Sequence, residues 1–302
     1  QATDPTAIDF LEKSATLPEL DPLLLDELLD RDDSTALLAE LLSSGSPILR
    51  QPDTVEDPPR HLHLFGDALR SRLKARDPEL ARDLSQRASS LLEARGETEA
   101  AVRASVTADD PERAAHLILR ATIPLVAEGD GSCLDEWLDM LPPDAANACP
   151  SAAAAQAWNC LARGDIQAMR EAIRLARRTI STRACDDGSG DTTVALAPLE
   201  ALPARAGLER VVVDAEAARS GGPPASNPWW GAATATQGAA LILIGQVDLA
   251  RQRFLEVLTA ACGPWETSAA SAYLALLELD DGDACEADRL ARDAVAMTVA
   301  RE

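Results

Sequence analysis

Aromatic side chains are scarce in this chain: five Trp, three Phe and one Tyr supply 3% of its 302 residues. A core short of rings has to be built from Leu, Ala, Ile and Val, which favours closely packed helices. Histidine is scarcer still, with three residues, and no H-E-x-x-H, G-x-S-x-G or metal-spaced Cys/His cluster occurs. Converging acid, base and nucleophile groups are therefore few, and a non-catalytic protein without a metal is expected. Positive charge is also short: 28 Lys and Arg stand against 50 Asp and Glu, a net charge of −22. That balance weighs against direct nucleic-acid contact, because phosphate binding needs clustered cations. No apolar stretch nears the roughly 18 residues of a membrane span, and no basic-then-apolar leader opens the chain. A soluble, cytoplasmic protein is expected. The six cysteines include no C-x-x-C pair and are expected to be reduced, mostly buried thiols, with Cys185 beside Asp186 and Asp187 the exposed one.

Glycine, by contrast, is placed with regularity. Gly96, Gly131, Gly164, Gly207, Gly245 and Gly282 follow one another at steps of 35, 33, 43, 38 and 37 residues. Each trails one apolar helical run and leads into another, which suits a positive-φ position just past a helix end. A period of roughly 34 to 40 residues is that of helix-turn-helix arrays, in which each unit buries its apolar face only against its neighbours. The stripes Ala250, Phe254, Val257, Leu258 and Ala287, Ala291, Ala294, Val295 share the spacing of one helix face, and Met169, Ile173, Ala176 and Ile180 give nearly the same pattern. Helix starts are marked independently by Asp4-Pro5, Asp21-Pro22, Asp77-Pro78, Asp110-Pro111 and Asn227-Pro228, each joining a capping side chain to a proline whose missing N–H is not needed in the first turn. Cys149-Pro150 and Gly263-Pro264 are weaker versions.

The first 75 residues are organised differently. Helices are predicted over Pro5–Ala15, Pro22–Leu29 and Ser34–Leu42, with Gly45 as a stop. Two short strands follow, in Ser46–Arg50 and Arg60–Leu64, around a proline-rich turn from Gln51 to Pro59. A helix then ends near Arg76. Three helices and a small hairpin make a winged-helix outline. From Gln1 to Arg60 the chain carries 14 acidic and 4 basic residues, and the third helix holds no Lys or Arg. A helix that cannot grip phosphates is a poor reader of the major groove, so this module is expected to serve an interdomain role. Arg70, Arg72, Lys74 and Arg76 are the only basic cluster, expected to be a solvated face.

Phe10-Leu11, Thr16-Leu17, Leu37-Leu38, Leu41-Leu42 and His63-Leu-Phe-Gly-Asp-Ala-Leu-Arg-Ser-Arg-Leu73 carry a resemblance. So do Glu112-Arg-Ala-Ala115, Trp137-Leu-Asp-Met-Leu-Pro142 and Ala157-Trp158. Together they resemble large LuxR-family regulators of the maltose-activator type, which are signal-transduction ATPases, over about half the chain. The resemblance implies a parent with an upstream ATPase domain binding ATP or ADP, this winged helix, a helical-repeat sensor and an output DNA-binding domain. The chain opens on Gln1 rather than Met, so a trimmed tag or a trimmed larger parent is expected. No G-x-x-x-x-G-K-[ST] loop occurs, so no nucleotide cofactor is assigned to the chain itself. Relatives place a histidine two residues before the Leu-Phe pair. Here that position is Leu62, flanked by His61 and His63, which are expected on the other face of a strand.

The expected fold is therefore all-α: a small degenerate winged-helix domain over residues 1–75, then a TPR-like helical-repeat solenoid over residues 76–302. Its expected function is the sensing of a small-molecule inducer, relayed to ATPase and DNA-binding domains; a scaffold for a partner protein or for self-association is the alternative. Trp158, Trp229, Trp230 and Trp265 are the candidate ligand- or partner-binding residues. Trp229 and Trp230 are adjacent at a helix start, so one of them is expected to face outward into a pocket, and Trp229→Ala is expected to weaken binding without unfolding. His116 sits at an apolar helix position and reads as a packing residue. Asp186–Asp191 lacks the alternating oxygen ligands of a calcium loop and reads as a flexible connection.

Overall fold

A computed structural model describes residues 5–44, 48–50, 58–127, 131–182, 189–201, 207–220, 227, 229–260 and 262–299. The chain is all-α, with helical repeats after an N-terminal winged-helix domain. It divides into two compact units, Gln1–Leu117 and Ile118–Glu302. Asp4, Gly45 and most of the Gln51–Pro59 turn lie outside the described residues.

The first unit opens with α1 (Pro5–Ser14), α2 (Pro22–Leu29) and α3 (Ser34–Ser43), followed by β1 (Leu49–Arg50), β2 (Arg60–His61) and α4 (His63–Arg76). The strands are antiparallel, with Leu49 opposite His61 and Arg50 opposite Arg60. Phe10, Leu11, Leu17, Leu20, Leu25, Leu28 and Leu73 are fully buried at the centre of this module. The second strand is shorter than expected. Phe65 and Gly66 both donate backbone N–H bonds to the Leu62 carbonyl, at 2.8 and 2.9 Å, and this turn begins α4 where the strand was expected to continue to Leu64. The basic cluster of α4 is solvated as expected, with Arg72, Lys74 and Arg76 exposed, and two of its members also reach inward. Arg72 Nε and Arg76 lie 2.7 and 2.6 Å from the two oxygens of Glu12, a fully buried carboxylate of α1, and Arg76 also reaches Asp9 at 2.8 Å. Burying Glu12 forces the pairing, since a carboxylate out of water needs a charged partner.

The unit continues through α5 (Pro78–Ala94) and α6 (Thr98–Thr107). Arg87 of α5 bonds Asp30 at 2.9 Å and the Glu27 carbonyl at 3.1 Å, and Arg95 pairs with Asp21. These contacts tie α5 to the C-terminal end and the N-cap of α2. A buried 2.8 Å bond between Ser89 and Ser105 joins α5 to α6. The first compact unit runs to Leu117.

Helix α7 (Pro111–Ala127) enters the second unit, which holds α8 (Gly131–Asp139), α9 (Ala145–Ala148), α10 (Pro150–Ala162), α11 (Ile166–Thr182), α12 (Ser189–Ala201), α13 (Leu208–Arg219), α14 (Trp230–Leu243), α15 (Val247–Thr259), α16 (Pro264–Asp281) and α17 (Ala284–Val299). From α10 onward these are antiparallel pairs. The second helix of each pair packs on the first helix of the next, and the first helices also meet one another in the order α10, α12, α14, α16. This is the nearest-neighbour packing of a repeat array.

Four of the six glycines close helices as expected. At Gly96, Gly164, Gly245 and Gly282 φ lies between 74° and 88°, and the following residue bonds back five positions, as Gln246 N–H does to Leu241 O at 2.9 Å. That is the Schellman closure. Gly207 also has positive φ but precedes α13, with ψ at 159°. Gly131 differs: it is the first residue of α8. Asp30 and Asp109 make the same closure without glycine, at φ of 52° and 56°. Asp can do so because its short polar side chain tolerates the left-handed region. The proline starts hold at α2, α5, α10 and α16, and the side chains of Asp21, Asp77 and Asp110 each accept a first-turn N–H at 2.9 to 3.0 Å.

The stripe of the last repeat is corrected. Ala287 and Ala294 are buried, but Ala291 is exposed and Val295 is 60% exposed; Leu290 takes the inner position. In the preceding repeat, Ala250, Phe254 and Val257 are fully buried and Leu258 packs against the same core. The thiols are also less buried than expected. Cys149 is buried, Cys133, Cys160 and Cys262 are intermediate, and Cys285 in the first turn of α17 is exposed. Cys185 and residues 186–188 lie outside the described residues, while Ser189–Asp191 begins α12. Among the described residues, no helix is long and apolar enough to cross a membrane, and no group of three His, Cys, Asp or Glu could hold a metal ion.

Candidate functional site

The first helices of successive pairs share one face of the second unit, and on that face lies an apolar cavity of about 310 Å³. Its walls come from five helices: Ile123 and Val126 of α7, Trp158 and Leu161 of α10, Pro198 of α12, Ala232 and Thr236 of α14, and Trp265 of α16. The sequence makes this hollow by alternating bulk. Alanines at 232, 233 and 235 give α14 small, buried side chains on its inner turns, whereas α10 and α16 bring the large rings of Trp158 and Trp265 to the lining. Pro198 lies inside α12. With no N–H of its own there, it presents a ring to the cavity and leaves no donor unpaired at that position.

Trp158 is fixed on two sides. Its indole N–H donates to the Ala195 carbonyl of α12 at 3.0 Å, and its ring stacks on Trp229 at a centroid distance of 5.5 Å and an interplanar angle of 26°. Trp265 is different. It is 47% exposed in the first turn of α16, where it lines the cavity from the solvent side. The Thr236 hydroxyl donates to the Ala232 carbonyl at 2.8 Å, so its hydrogen is already committed within α14.

Of the four tryptophans expected to bind, the structure brings Trp158 and Trp265 to the cavity. Trp229 and Trp230 do not line it. Both are buried, against the expectation that one must face out, because the first turns of α14 are enclosed: Trp230 through Ala235, with Gln237 and Gly238, are buried. A stretch of helix buried all round has no outward face to offer. Trp229 precedes the helix and backs Trp158. Trp230 enters the core of Phe254, Leu274 and Leu290, with the Arg219 guanidinium 5.5 Å from its ring centre. Truncating Trp229 is accordingly a core deletion costing on the order of 3–5 kcal/mol, which replaces the expectation of lost binding in an intact fold. Ile123, Val126, Leu161, Pro198, Ala232 and Thr236 were not singled out by sequence. Their signal was weak because each is an ordinary apolar or small residue of an amphipathic helix.

Behind the cavity wall, Glu266 follows Trp265 but turns away into the interior. It is buried, and a Cβ added at Gly231 or Gly263 would sit 3.0 Å from its Cγ or 2.6 Å from its Oε2. Burial raises the Glu266 carboxyl above its ordinary value, and burial together with that carboxyl pushes the Cys262 thiol up to about 11. So placed, Cys262 is not a ready nucleophile, since the reactive form of a thiol is the thiolate.

The winged-helix module offers a second feature. His61 accepts or donates a 3.1 Å bond between its Nε2 and Ser14 Oγ of α1. Burial and the nearby Arg70 hold its imidazole well below the ordinary range, at about 4. Leu62 follows and donates its N–H to Ile48 O at 2.9 Å. Leu62, Leu64 and Phe65 form an exposed apolar group, with Leu64 82% exposed. The outward residues of α3 are Thr35, Ala36, Ala39, Glu40 and Ser43, which bring one carboxylate and no cation.

Residues 1–81 match the MalT winged helix domain. Among curated proteins, none matches the chain.

Proposed function

We propose that this chain is the sensor and interaction region of a multidomain transcriptional regulator of the LuxR type. A small inducer enters the cavity between α7, α10, α12, α14 and α16, and its binding is relayed through the winged helix to an ATPase domain and a DNA-binding domain of the parent. The observation that carries this reading is the union of a MalT-type winged helix over residues 1–81 with an apolar cavity walled by five separate helices. A ligand contacting five helices at once has differential affinity for any two arrangements of them, which is the requirement for shifting an equilibrium. The exposed Leu62, Leu64 and Phe65 group is the surface on which the ATPase domain packs. The region is non-catalytic, acts in the cytoplasm, and makes no direct contact with nucleic acid, since α3 offers phosphates nothing to bind.

Intrinsic tryptophan fluorescence against a metabolite panel tests the sensing role. A saturable change in the wild-type chain that disappears in Thr236→Leu, which fills the cavity, is the expected result. A panel with no response, or a response untouched by Thr236→Leu, overturns it.

A second reading has its own observation. Leu276 and Leu279 of α16 and Val295 of α17 are each more than half exposed on the last repeat. With the repeat registered on Gly245 and Gly282, their counterparts are Ala239, Ile242 and Leu258; Ile242 and Leu258 pack against the next core. This reading is self-association, in which a second copy covers the same face.

A further inference from the structure

We propose that the molecule held in this cavity is an uncharged, planar, mainly apolar compound, not a sugar and not an acid; the proposal rests on the sensing role given above. Three features of the walls select this class. First, among the described residues no lining side chain is charged, and the one hydroxyl there, Thr236, already donates to Ala232 O at 2.8 Å. A sugar brought here would bury several hydroxyls with at most one acceptor to meet them, and an acid would bury a charge with no counter-ion. Second, the indole N–H of Trp158 is engaged by Ala195 O at 3.0 Å, so the ring takes part through its carbon framework. Third, that bond and the Trp229 stack at 5.5 Å fix Trp158 as a rigid flat wall. A flat ring gains offset stacking on such a wall, whereas a flexible chain loses rotamer freedom to lie there. The nearest carboxylate in sequence, Glu266, is turned into the interior against Gly231 and Gly263 and supplies no polar contact to the lining. The volume of about 310 Å³ stands at the lower end of small-molecule sites, which suits one fused ring system.

Calorimetric titration of the 302-residue chain with four defined probes is the test: naphthalene-2-carboxamide, its charged counterpart 2-naphthoate, decanamide and maltose. Calorimetry keeps its signal when a tryptophan is removed. Saturable binding of the naphthyl amide is expected, about tenfold or more tighter than naphthoate and decanamide, with no heat from maltose. Trp265→Ala and Thr236→Leu should each weaken the amide about tenfold, with melting temperatures checked so that a misfolded variant is not read as a binding variant. Binding of naphthoate, decanamide or maltose as tight as the amide, and lost in the same two variants, overturns the ligand class and leaves the cavity as the sensing site. Amide binding that survives both variants, or no binding by any probe, overturns the site itself.

Discussion

Single side chains in this molecule are set by what surrounds them more than by their type. Glu12 and Glu266 are both buried glutamates, yet Glu12 is met by Arg72 and Arg76, while Glu266 has only a backbone hydrogen bond to set against its burial and its carboxyl is raised. His61 shows the same dependence in a form that pH can read. Burial first, and Arg70 second, lower its value from 6.5 to about 4. Above pH 6.5 the imidazole is neutral in folded and unfolded chains alike, and its packing against Ser14 is uncompromised. As pH falls from 6.5 toward 4, the unfolded chain takes up a proton that the folded chain resists. Stability is therefore lost across that window, by on the order of 3 kcal/mol in all. The lowered carboxyls of Asp9 and Asp21 titrate below their ordinary 3.8, so the His61 contribution stands apart from theirs. Urea denaturation at pH 7 and pH 4.5 should show the wild type losing most of this stability and His61→Gln losing far less. Equal losses in the two chains would remove His61 from the account.

Elements are delimited here by turn chemistry, and two glycines separate the ways a glycine can be required. Gly245 closes α14 with φ of 82°, and a Cβ there would meet nothing within 4 Å. Gly245→Ala should cost about 1 kcal/mol from backbone strain alone. Gly238 lies inside the same helix, where a Cβ would fall 2.6 Å from two carbons of the Phe254 ring. There alanine should improve intrinsic helix propensity and still destabilise, by about 1–3 kcal/mol of overpacking between α14 and α15. Adding Phe254→Leu should recover part of the Gly238→Ala loss in thermal denaturation and none of the Gly245→Ala loss; recovery in both, or in neither, contradicts this division. The closing glycines were legible in the sequence because positive φ has few tolerant residues and the helices on either side are periodic. The turns at Asp30 and Asp109 were not, because Asp is equally at home as an N-cap. The cavity was legible only through its tryptophans. Which of four rings lines a hollow depends on neighbours from other repeats, and the buried first turns of α14 gave no polar face by which to orient Trp229 and Trp230.

For the whole molecule, the excess of acid sets what approaches it and the repeat pattern sets where association can occur. A net charge of −22 repels like molecules at low ionic strength, and the repulsion fades within about 8 Å at physiological salt. Apolar contact between copies then becomes possible at the uncovered face of the last pair. Leu276, Leu279 and Val295 are exposed where, one repeat earlier, Ile242 and Leu258 pack against the core. Around them, Arg289 is joined to Glu286 and Asp293 and Arg292 to Asp288, so the arginines at this end are already neutralised within α17. Two copies meeting through the same patch form an isologous pair, which closes at two and does not polymerise. Light scattering of the 302-residue chain should therefore show a concentration-dependent dimer that strengthens with added salt, as apolar association between like-charged bodies must, and Leu276→Glu with Leu279→Glu should return it to a monomer. Because both side chains are exposed, the double variant should keep its thermal stability. A wild-type chain that stays monomeric at all concentrations, or a dimer indifferent to the two glutamates, would leave this face without the self-association assigned to it.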